Sequence, residues 1–210
     1  MADTLAIMKL SPVIPVVTIH DVDDAVAMAR SIHAGGLKTI EITRRTQVAI
    51  EAMKAIAAEV PELVLGVGTV WDAKQCEEAI RAGAQFIVSP GIADAVDDVC
   101  READMPYLPG AQTVSEAAHL VRRGHREIKL FPASVIGGPS AIKAYAAVFP
   151  DLKFCPTGGI TEQTAPDYLK LSSIPCVGGS WLSKPPGEAT DGRNPIEAAA
   201  ARATTLGRSG

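Results

Sequence analysis

The amino-acid sequence predicts an α/β fold built as a single (β/α)8 TIM barrel, and three observations lead to this prediction. Short apolar runs rich in β-branched residues recur along the 210-residue chain, and their starts lie about 20–26 residues apart. An alanine-rich segment with helical periodicity follows each run. This spacing accommodates a strand, a loop and a helix of about 10–14 residues, and eight such units are typical of a (β/α)8 barrel.

Eight stretches are predicted as strands because each is a short apolar run. They lie at 13–19, 39–43, 63–68, 85–89, 106–110, 127–132, 153–158 and 176–180. A doubly wound open sheet is the alternative architecture, but no G-x-G-x-x-G follows the first strand. The stretch "GVGTVW" after the third strand lacks the third glycine of that pattern.

Two helical stretches carry clear boundary signals. Residues 21–36, "DVDDAVAMARSIHAGG", begin with acids suited to a helix N-terminus and end in a Gly-Gly stop. Thr113 and Glu116 form a capping-box pattern at the start of another helix. No linker precedes the segment 184–195, which leads into a final alanine-rich helix. We therefore expect one domain over residues 1–210, with an N-terminal segment and a C-terminal helix.

Composition and charge argue against several classes of function. The formal net charge is −4 and like charges form no block, so we expect neither a nucleic-acid surface nor a polybasic membrane patch. The apolar runs are much shorter than the roughly 20 residues that span a bilayer, and the N-terminus does not resemble a signal peptide. A cytoplasmic protein is the natural expectation.

The cysteines and histidines form no pattern typical of a metal site. The thiols are widely spaced, and we expect them to be reduced and structural. No metal or other cofactor is expected. The residues concerned are Cys76, Cys100, Cys155, Cys176, His20, His33, His119 and His125.

A lysine interrupts the apolar strand in "EIKLFPAS", residues 127–134. With Ile128 and Leu130 directed outward, Lys129 and Phe131 face the barrel interior. Among the lysines of the chain, Lys129 alone is predicted in mid-strand and directed inward. Because desolvating an ammonium group is costly, this position requires a partner or a function.

A glutamate in the second strand is the natural partner. Alternation in "IEITRRT" directs Glu41 and Thr43 into the barrel, and Arg45 reaches its mouth. A buried carboxylate also requires a partner or a function. A structural ion pair of Glu41 with Arg45 or with Lys129 is the alternative to a catalytic role.

The ends of the third and fourth strands give weaker signals. Gly66 and Gly68 in "GVGTV" leave space for a ligand or a neighbouring backbone, and Thr69 offers a hydroxyl at the rim. Taken alone, such glycines are more often a packing feature. The "SPG" at 89–91 suits a turn equally well.

Gly-Gly turns follow the seventh and eighth strands, in "PTGGIT" and "VGGSW". In (β/α)8 barrels the loops after these two strands present backbone N–H groups to an anion. The hydroxyls of Thr157 and Ser180 would add donors. The sequence therefore predicts a phosphate site at these turns.

Together these groups predict an imine-forming aldolase. Apolar surroundings favour the uncharged amine of Lys129, which attacks a ketone to form a Schiff base. The protonated imine stabilises the enamine left when the neighbouring C–C bond breaks, while Glu41 moves the protons. Arg45 is suited to clamp a carboxylate bidentately. The expected substrate is a keto acid with a phosphate at its far end.

Six segments in order, "IEITRRT", "GVGTV", "VSPG", "IKLFPA", "CPTGGI" and "GGSWL", resemble the 2-keto-3-deoxy-6-phosphogluconate (KDPG)/4-hydroxy-2-oxoglutarate aldolase family over residues 11–182. The resemblance implies a metal-independent class I aldolase of the Entner–Doudoroff route, which reversibly cleaves KDPG to pyruvate and D-glyceraldehyde 3-phosphate. It also implies a homotrimer.

The same resemblance assigns roles to individual residues. Lys129 becomes the Schiff-base lysine and Glu41 the general acid/base. The binding residues fall into two groups: Arg45, Thr69, Pro90 and Phe131 around the pyruvyl end with Thr157 close by, and Gly158, Gly159 and Ser180 at the phosphate.

Two residues depart from the family pattern. Arg44 stands where an apolar residue usually precedes the clamp arginine, and Ser134 stands where an acid often follows "FPA". Because pocket-edge residues select the aldehyde half, the galactonate-derived epimer and unphosphorylated 4-hydroxy-2-oxoglutarate stay open as substrates.

Three other functions compete with this interpretation. A phosphate-binding isomerase or epimerase would use Glu41 as a base and Lys129 as an electrostatic stabiliser. A metal-dependent aldolase would need more histidine or carboxylate ligands at the strand ends than the sequence offers. A non-catalytic barrel that senses a phosphorylated sugar acid would not need a buried lysine opposite a glutamate.

Overall fold

Strands and helices alternate along the chain in a computed structural model that describes residues 3–183 and 193–207. The strands are β1 Val13–Val17, β2 Thr39–Thr43, β3 Val64–Gly68, β4 Phe86–Val88, β5 Tyr107–Leu108, β6 Gly110–Ala111, β7 Glu127–Leu130, β8 Lys153–Pro156 and β9 Val177–Gly179. The helices are α1 Thr4–Lys9, α2 Val22–Ala34, α3 Ala49–Glu59, α4 Ala73–Arg81, α5 Asp94–Glu102, α6 Val114–Arg122, α7 Gly138–Val148, α8 Ala165–Leu169 and α9 Pro195–Ala203, with a 3-10 helix at Trp181–Ser183. Within the described ranges, no helix combines the length and the apolar character needed to cross a membrane.

The strands form two parallel sheets that meet at both of their edges. One sheet has the order β5-β4-β3-β2-β1-β9 and the other β6-β7-β8. At one junction the Lys129 amide donates to the carbonyl of Pro109, between β5 and β6, at 2.8 Å. At the other junction Thr157, just after β8, forms a parallel bridge with Gly178 of β9. The carboxyl ends of neighbouring parallel strands therefore lie side by side.

The strand predictions are confirmed in position, and most of the observed strands are shorter. The fifth predicted strand, 106–110, is interrupted at Pro109, because proline has no amide hydrogen to donate to a strand ladder. The predicted strand 153–158 ends at Pro156. Gly158 then adopts a φ of +98°, outside the extended region.

The predicted helix boundaries are confirmed by their caps. The Asp21 carboxylate accepts hydrogen bonds from two amides of the first turn of α2, and Gly36 after its end has a φ of +96°. The Thr113 side chain accepts from the Glu116 amide, and Glu116 bonds back to the Thr113 amide, which completes a capping box. The predicted final helix is α9, whereas residues 184–192 of the segment before it lie outside the described ranges.

Apolar side chains are buried on both faces of the strands. The outer face, which includes Ile40, Ile42, Ile128 and Leu130, packs against the helices in the larger cluster. A smaller cluster fills the inner face, and Met8 of α1, only 1% exposed, belongs to it. The members of this inner cluster are Met8, Ile14, Phe86, Val88, Leu108, Cys155 and Cys176. Helix α1 lies in the predicted N-terminal segment and is not among the predicted helices.

A charged network lies around α5 and the loop before β7. The Asp97 carboxylate is 2% exposed and is approached by the guanidinium groups of Arg101 and Arg123 and by His125. Burial works against the charged form of Asp97, but the bonds from Arg123, His125 and Arg101 outweigh it and lower the pKa of this carboxyl. Burial lowers the pKa of His125.

Candidate functional site

Lys129 and Glu41 meet on the inner face of the strands. The Nζ atom of Lys129 lies 3.2 Å from Oε1 of Glu41, and the two residues are 88 positions apart in the chain. Lys129 is 5% exposed and Glu41 is 3% exposed. The prediction that alternation directs both side chains inward is confirmed. The contact itself fits both a buried ion pair and a proton-transfer pair, because each needs the two groups within hydrogen-bond distance.

Glycine in β3 makes room for the Glu41 side chain. A Cβ atom added at Gly68 would overlap Oε1 of Glu41, and one added at Gly66 would overlap the ring of Phe86. The packing interpretation of these two glycines is therefore confirmed, and they do not keep space for a ligand. The space is already filled by two side chains, and Gly68 is the residue that allows the carboxylate to reach Lys129.

The strands on either side of Lys129 contribute small or uncharged groups. Gly110 of β6 and Cys155 of β8 are its register partners. The backbone of Pro90 packs so closely on Gly110 that no Cβ would fit there. The Phe131 ring centroid lies 5.7 Å from Nζ of Lys129. Glu41 is the one anionic partner of the amine among the described residues.

A cysteine pair lies beside the strand of the lysine. The Sγ atoms of Cys155 and Cys176 are 3.7 Å apart, and both side chains are buried. The hydrogen bond from Cys176 lowers the pKa of Cys155, and the charge of Lys129 acts in the same direction. The same bond and burial raise the pKa of Cys176. Both cysteines belong to the inner apolar cluster.

Arg45 and Thr69 lie together at the ends of β2 and β3. The Nε atom of Arg45 donates to Oγ1 of Thr69 at 3.2 Å, and Arg45 is exposed. Thr69 has a φ of +64°, a conformation that non-glycine residues adopt infrequently. Among the described residues, Thr69 is the one side chain to which this guanidinium donates, so its other donors can bind an anion.

Arg44, one of the two departures from the family pattern, belongs to the outer side of the same loop. Its amide donates to the carbonyl of Gly68 at 2.8 Å, and its guanidinium forms an ion pair with Glu78 of α4. Because strand residues alternate in direction, the arginine before Arg45 reaches the helices instead of the site.

The Gly-Gly turn after β8 lies against the segment that follows β7. The Ser134 amide donates to the carbonyl of Gly158 at 3.1 Å, and a Cβ atom added at Gly159 would overlap Oγ of Ser134. A Cβ atom at Gly158 would come 3.1 Å from the Phe131 ring. Both glycines have positive φ, of +98° and +72°. This turn therefore needs glycine for conformation and for space.

Thr157 and Ser180 occupy the neighbouring strand ends. Thr157 is buried, and its bridge to Gly178 places it at the junction of β8 and β9. Ser180 follows β9 and is exposed, and its carbonyl accepts a hydrogen bond from Oγ of Ser183 at 2.8 Å. The predicted phosphate residues thus lie at adjacent carboxyl ends.

The sequence interpretation missed two residues of this region. Gly110 is predicted only as part of the strand 106–110. Ser134 is noted only as a departure from the family pattern, with no predicted contact. The register with Lys129 identifies Gly110, and the contact with Gly159 identifies Ser134. Neither contact has a local sequence signal, because each joins segments more than 18 residues apart.

In residues 3–183 and 193–207, no three His, Cys, Asp or Glu side chains are grouped so as to hold a metal ion.

Comparison with known proteins gives relatives that match along most of the chain. A family model described as KDPG and KHG aldolase matches residues 5–191. The KHG/KDPG aldolase of Escherichia coli (strain K12) is 44% identical over 177 residues, covering 84% of this chain and 83% of the relative.

Solved structures extend this similarity to the fold. The KDPG aldolase of Zymomonas mobilis ZM4, determined with 3-phosphoglycerate, superimposes with a TM-score of 0.90 at 40% identity, covering 98% and 97% of the two chains. A Legionella pneumophila KDPG aldolase, with pyruvate captured as a covalent carbinolamine, gives a TM-score of 0.85 at 35% identity, covering 98% and 97%. The chain belongs to the KDPG and KHG aldolase family.

Proposed function

We propose that this protein is a class I aldolase that reversibly cleaves KDPG to pyruvate and D-glyceraldehyde 3-phosphate through a Schiff base on Lys129. The observation that carries the proposal is the buried Lys129–Glu41 contact of 3.2 Å. It places a nucleophilic amine beside a carboxylate that can exchange protons with it. Family membership and the similarity to KDPG aldolases of known structure support the same reaction.

Imine formation is the first stage of the proposed reaction. Glu41 takes a proton from Lys129, and the neutral amine attacks C2 of the keto acid to give a carbinolamine. Glu41 returns the proton to the carbinolamine hydroxyl, which leaves as water, and the C=N bond forms. A shuttle of this kind requires one carboxylate within reach of both nitrogen and oxygen, and the buried position of Glu41 provides it.

Cleavage of the C3–C4 bond is the second stage. Glu41 removes the proton of the C4 hydroxyl, the C3–C4 bond breaks, and its electron pair moves into the iminium to form an enamine. The aldehyde leaves, the enamine is protonated at C3, and water hydrolyses the resulting imine to pyruvate and free Lys129. The inner apolar cluster, which includes Cys155 and Cys176, helps to exclude bulk water from this exchange.

The binding groups are assigned to the two ends of the substrate. Arg45, with Thr69 beside it, takes the carboxylate at the ends of β2 and β3, and Pro90, Phe131 and Thr157 surround the pyruvyl carbons. The phosphate binds between Gly158, Gly159 and Ser180, at the ends of β8 and β9. The positive φ values of the two glycines support this assignment, because they turn successive amides toward one point.

The architecture and assembly are proposals of the same kind. We take the two sheets as one closed (β/α)8 barrel in a single domain of residues 1–210, supported by the junctions at Pro109 and at Thr157. A cytoplasmic homotrimer that acts on a small keto-acid phosphate, and not on nucleic acid or membranes, agrees with the net charge of −4 and with the family. Analytical ultracentrifugation tests the trimer.

A coupled assay tests the function directly. Purified protein is given KDPG, its galactonate epimer or 4-hydroxy-2-oxoglutarate, and released pyruvate is followed with lactate dehydrogenase and NADH. We expect the highest kcat/KM with KDPG. If none of the three substrates yields pyruvate, the protein is not an aldolase of this kind. A higher kcat/KM with 4-hydroxy-2-oxoglutarate would contradict KDPG as the preferred substrate and leave the aldolase activity intact.

A further inference from the structure

Thr18 stands just after β1, on the inner side of the strands and above the catalytic pair. Its hydroxyl lies 2.8 Å from Oγ1 of Thr43, which is completely buried at the end of β2. Thr43 is two residues after Glu41 and therefore points to the same face, roughly 7 Å nearer the carboxyl end. The Thr18–Thr43 pair thus forms the next layer above Glu41, toward the open end.

The hydrogen bonds of Thr43 determine which way the Thr18 hydroxyl is polarised. A threonine hydroxyl has one hydrogen to donate. Thr43 donates its hydrogen to the carbonyl of Val17 at 3.1 Å. Thr18 must then be the donor in the 2.8 Å contact, and the lone pairs of its oxygen remain to accept a hydrogen bond. Among the residues that the structure describes, Thr43 is the one partner of this hydroxyl.

The strand order places Thr18 along the path of the proposed substrate. Glu41 lies on β2 and Ser180 follows β9, and β1 is the strand between β2 and β9. A substrate whose C4 hydroxyl is held at Glu41 and whose phosphate is held at Ser180 therefore passes the end of β1. The carbon between those two groups is C5, and in KDPG it carries a hydroxyl.

We propose that Thr18 is a specificity-determining residue that accepts a hydrogen bond from the C5 hydroxyl of the substrate, which is the C2 hydroxyl of the aldehyde product. This inference rests on the proposed function. This hydrogen bond gives the protein a preference for aldehydes that carry a C2 hydroxyl. It therefore favours KDPG over 4-hydroxy-2-oxoglutarate, which has no hydroxyl at C5. The oxygen of Thr18 is pre-oriented by Thr43, so little side-chain freedom is lost on binding.

The test uses the condensation direction with two aldehydes. Saturating pyruvate is combined with D-glyceraldehyde 3-phosphate or with 3-oxopropyl phosphate, which lacks only the C2 hydroxyl. The variant Thr18→Val removes the acceptor at nearly constant volume, and Thr18→Ser retains it. Thr46→Val is the matched control, because it removes a nearby hydroxyl that bonds to the Ile19 carbonyl. kcat/KM is measured for each pair.

We expect Thr18→Val to lower kcat/KM by about 3- to 10-fold for glyceraldehyde 3-phosphate and to leave that for 3-oxopropyl phosphate within twofold of the unsubstituted protein. The Thr18→Ser and Thr46→Val variants should show no such difference between the two aldehydes. An equal loss on both aldehydes, or a loss on neither, would overturn the proposal. Failure of the proposed function has a separate signature, an unsubstituted protein that condenses neither aldehyde, and this result overturns the inference too.

Discussion

The desolvation of Lys129 and Glu41 carries a high free-energy cost for a contact that is purely structural. Removing two charges from water costs several kcal/mol per ion, and apolar residues of similar volume often stabilise a protein as well or better. Both side chains are nearly inaccessible, and a glycine at position 68 is required to accommodate the carboxylate. The proton transfer that we propose for this pair would account for the interior position of both groups.

Replacing Glu41, the proposed proton shuttle, should separate imine formation from cleavage. Glu41→Gln keeps the shape of the side chain and removes its basicity, so we expect kcat for KDPG to fall by roughly 10²–10⁴-fold. Pyruvate should still be trapped on the lysine, at a lower rate. Glu127→Gln is the control, since Glu127 is the first residue of β7, the strand that carries Lys129. Equal activity of the two variants would show that Glu41 is not the shuttle.

Replacing Arg45, the proposed carboxylate clamp, should weaken substrate binding more than turnover. Arg45→Ala removes charge-assisted bonds worth about 1.5–3 kcal/mol, which corresponds to an increase of about 10- to 100-fold in KM for the keto acid. Arg44→Ala serves as the control because Arg44 is paired with Glu78 on the outer side. An unchanged KM in Arg45→Ala would remove Arg45 from the carboxylate site.

For individual residues, the alternation of side chains along a strand was enough to predict that Lys129 and Glu41 share one face. It could not predict the role of Gly68, because the atoms that fill its space belong to another strand. The place of Ser134 against Gly159 was hidden for the same reason. A strand pattern specifies the direction of a side chain, and the neighbour across the sheet is set by register.

Strand β3 supports the site because it has glycine at two positions of its inner face. Both inner-facing glycines, Gly66 and Gly68, oppose bulky groups of the adjacent strands. A strand with two glycines loses β propensity and backbone entropy, so its sequence is costly unless the neighbours need the space. The pairing of β2 with β3 over five register positions compensates by fixing the strand in place.

Adding one methyl group in β3 should displace the catalytic carboxylate. In Gly68→Ala the new Cβ overlaps Glu41, so we expect kcat to fall by at least about tenfold while the protein still folds. Gly91→Ala is a suitable control, because an added Cβ there meets no atom within 4 Å. Circular dichroism and kcat are compared for both variants. Full activity in Gly68→Ala would mean that the position of Glu41 is not critical.

The elements with strong local signals were predicted well, and those that depend on tertiary contacts were not. The capping box at Thr113 and the Gly-Gly stop after α2 involve residues close in sequence. In contrast, α1 is only six residues long and packs through Met8 into the inner cluster, so its stability comes from packing. The break at Pro109 follows from the missing amide, yet the sequence pattern alone favoured an uninterrupted strand.

At the scale of the molecule, the network around Asp97 couples stability to pH. Burial lowers the pKa of His125 below the value near 6.5 of an exposed histidine, so the unfolded chain binds a proton more readily than the folded protein. Stability is therefore highest above about pH 6.5 and falls as the pH drops through the window below it. The lowered pKa of Asp97 adds a second loss in more acidic solution, below about pH 4.

Thermal unfolding between pH 7.5 and pH 5 checks this coupling. We expect Tm to fall across this range in the unsubstituted protein and to fall less in His125→Gln, which has no titrating group at that position. His20→Gln, at an exposed position, should retain the slope of the unsubstituted protein. Parallel slopes for His125→Gln and the unsubstituted protein would exclude His125 as the source.

The α/β class could be predicted because the β/α repeat recurs along the chain. How the two sheets meet could not, since the bonds at Pro109 and Thr157 join strands that the pattern treats as equivalent. The charged network around Asp97 was also missed, because Arg101, Arg123 and His125 come from separate segments. Long-range pairing is a property of the assembled molecule.

The reaction through Lys129 is tested most directly by reductive trapping. The protein is incubated with pyruvate and sodium borohydride, digested, and analysed by mass spectrometry, with Lys129→Ala as the control. Reduction of the imine should give a stable adduct on the peptide that contains Lys129 and none in the variant. Absence of an adduct, or its appearance on another lysine while activity is lost, would contradict a Schiff base at Lys129.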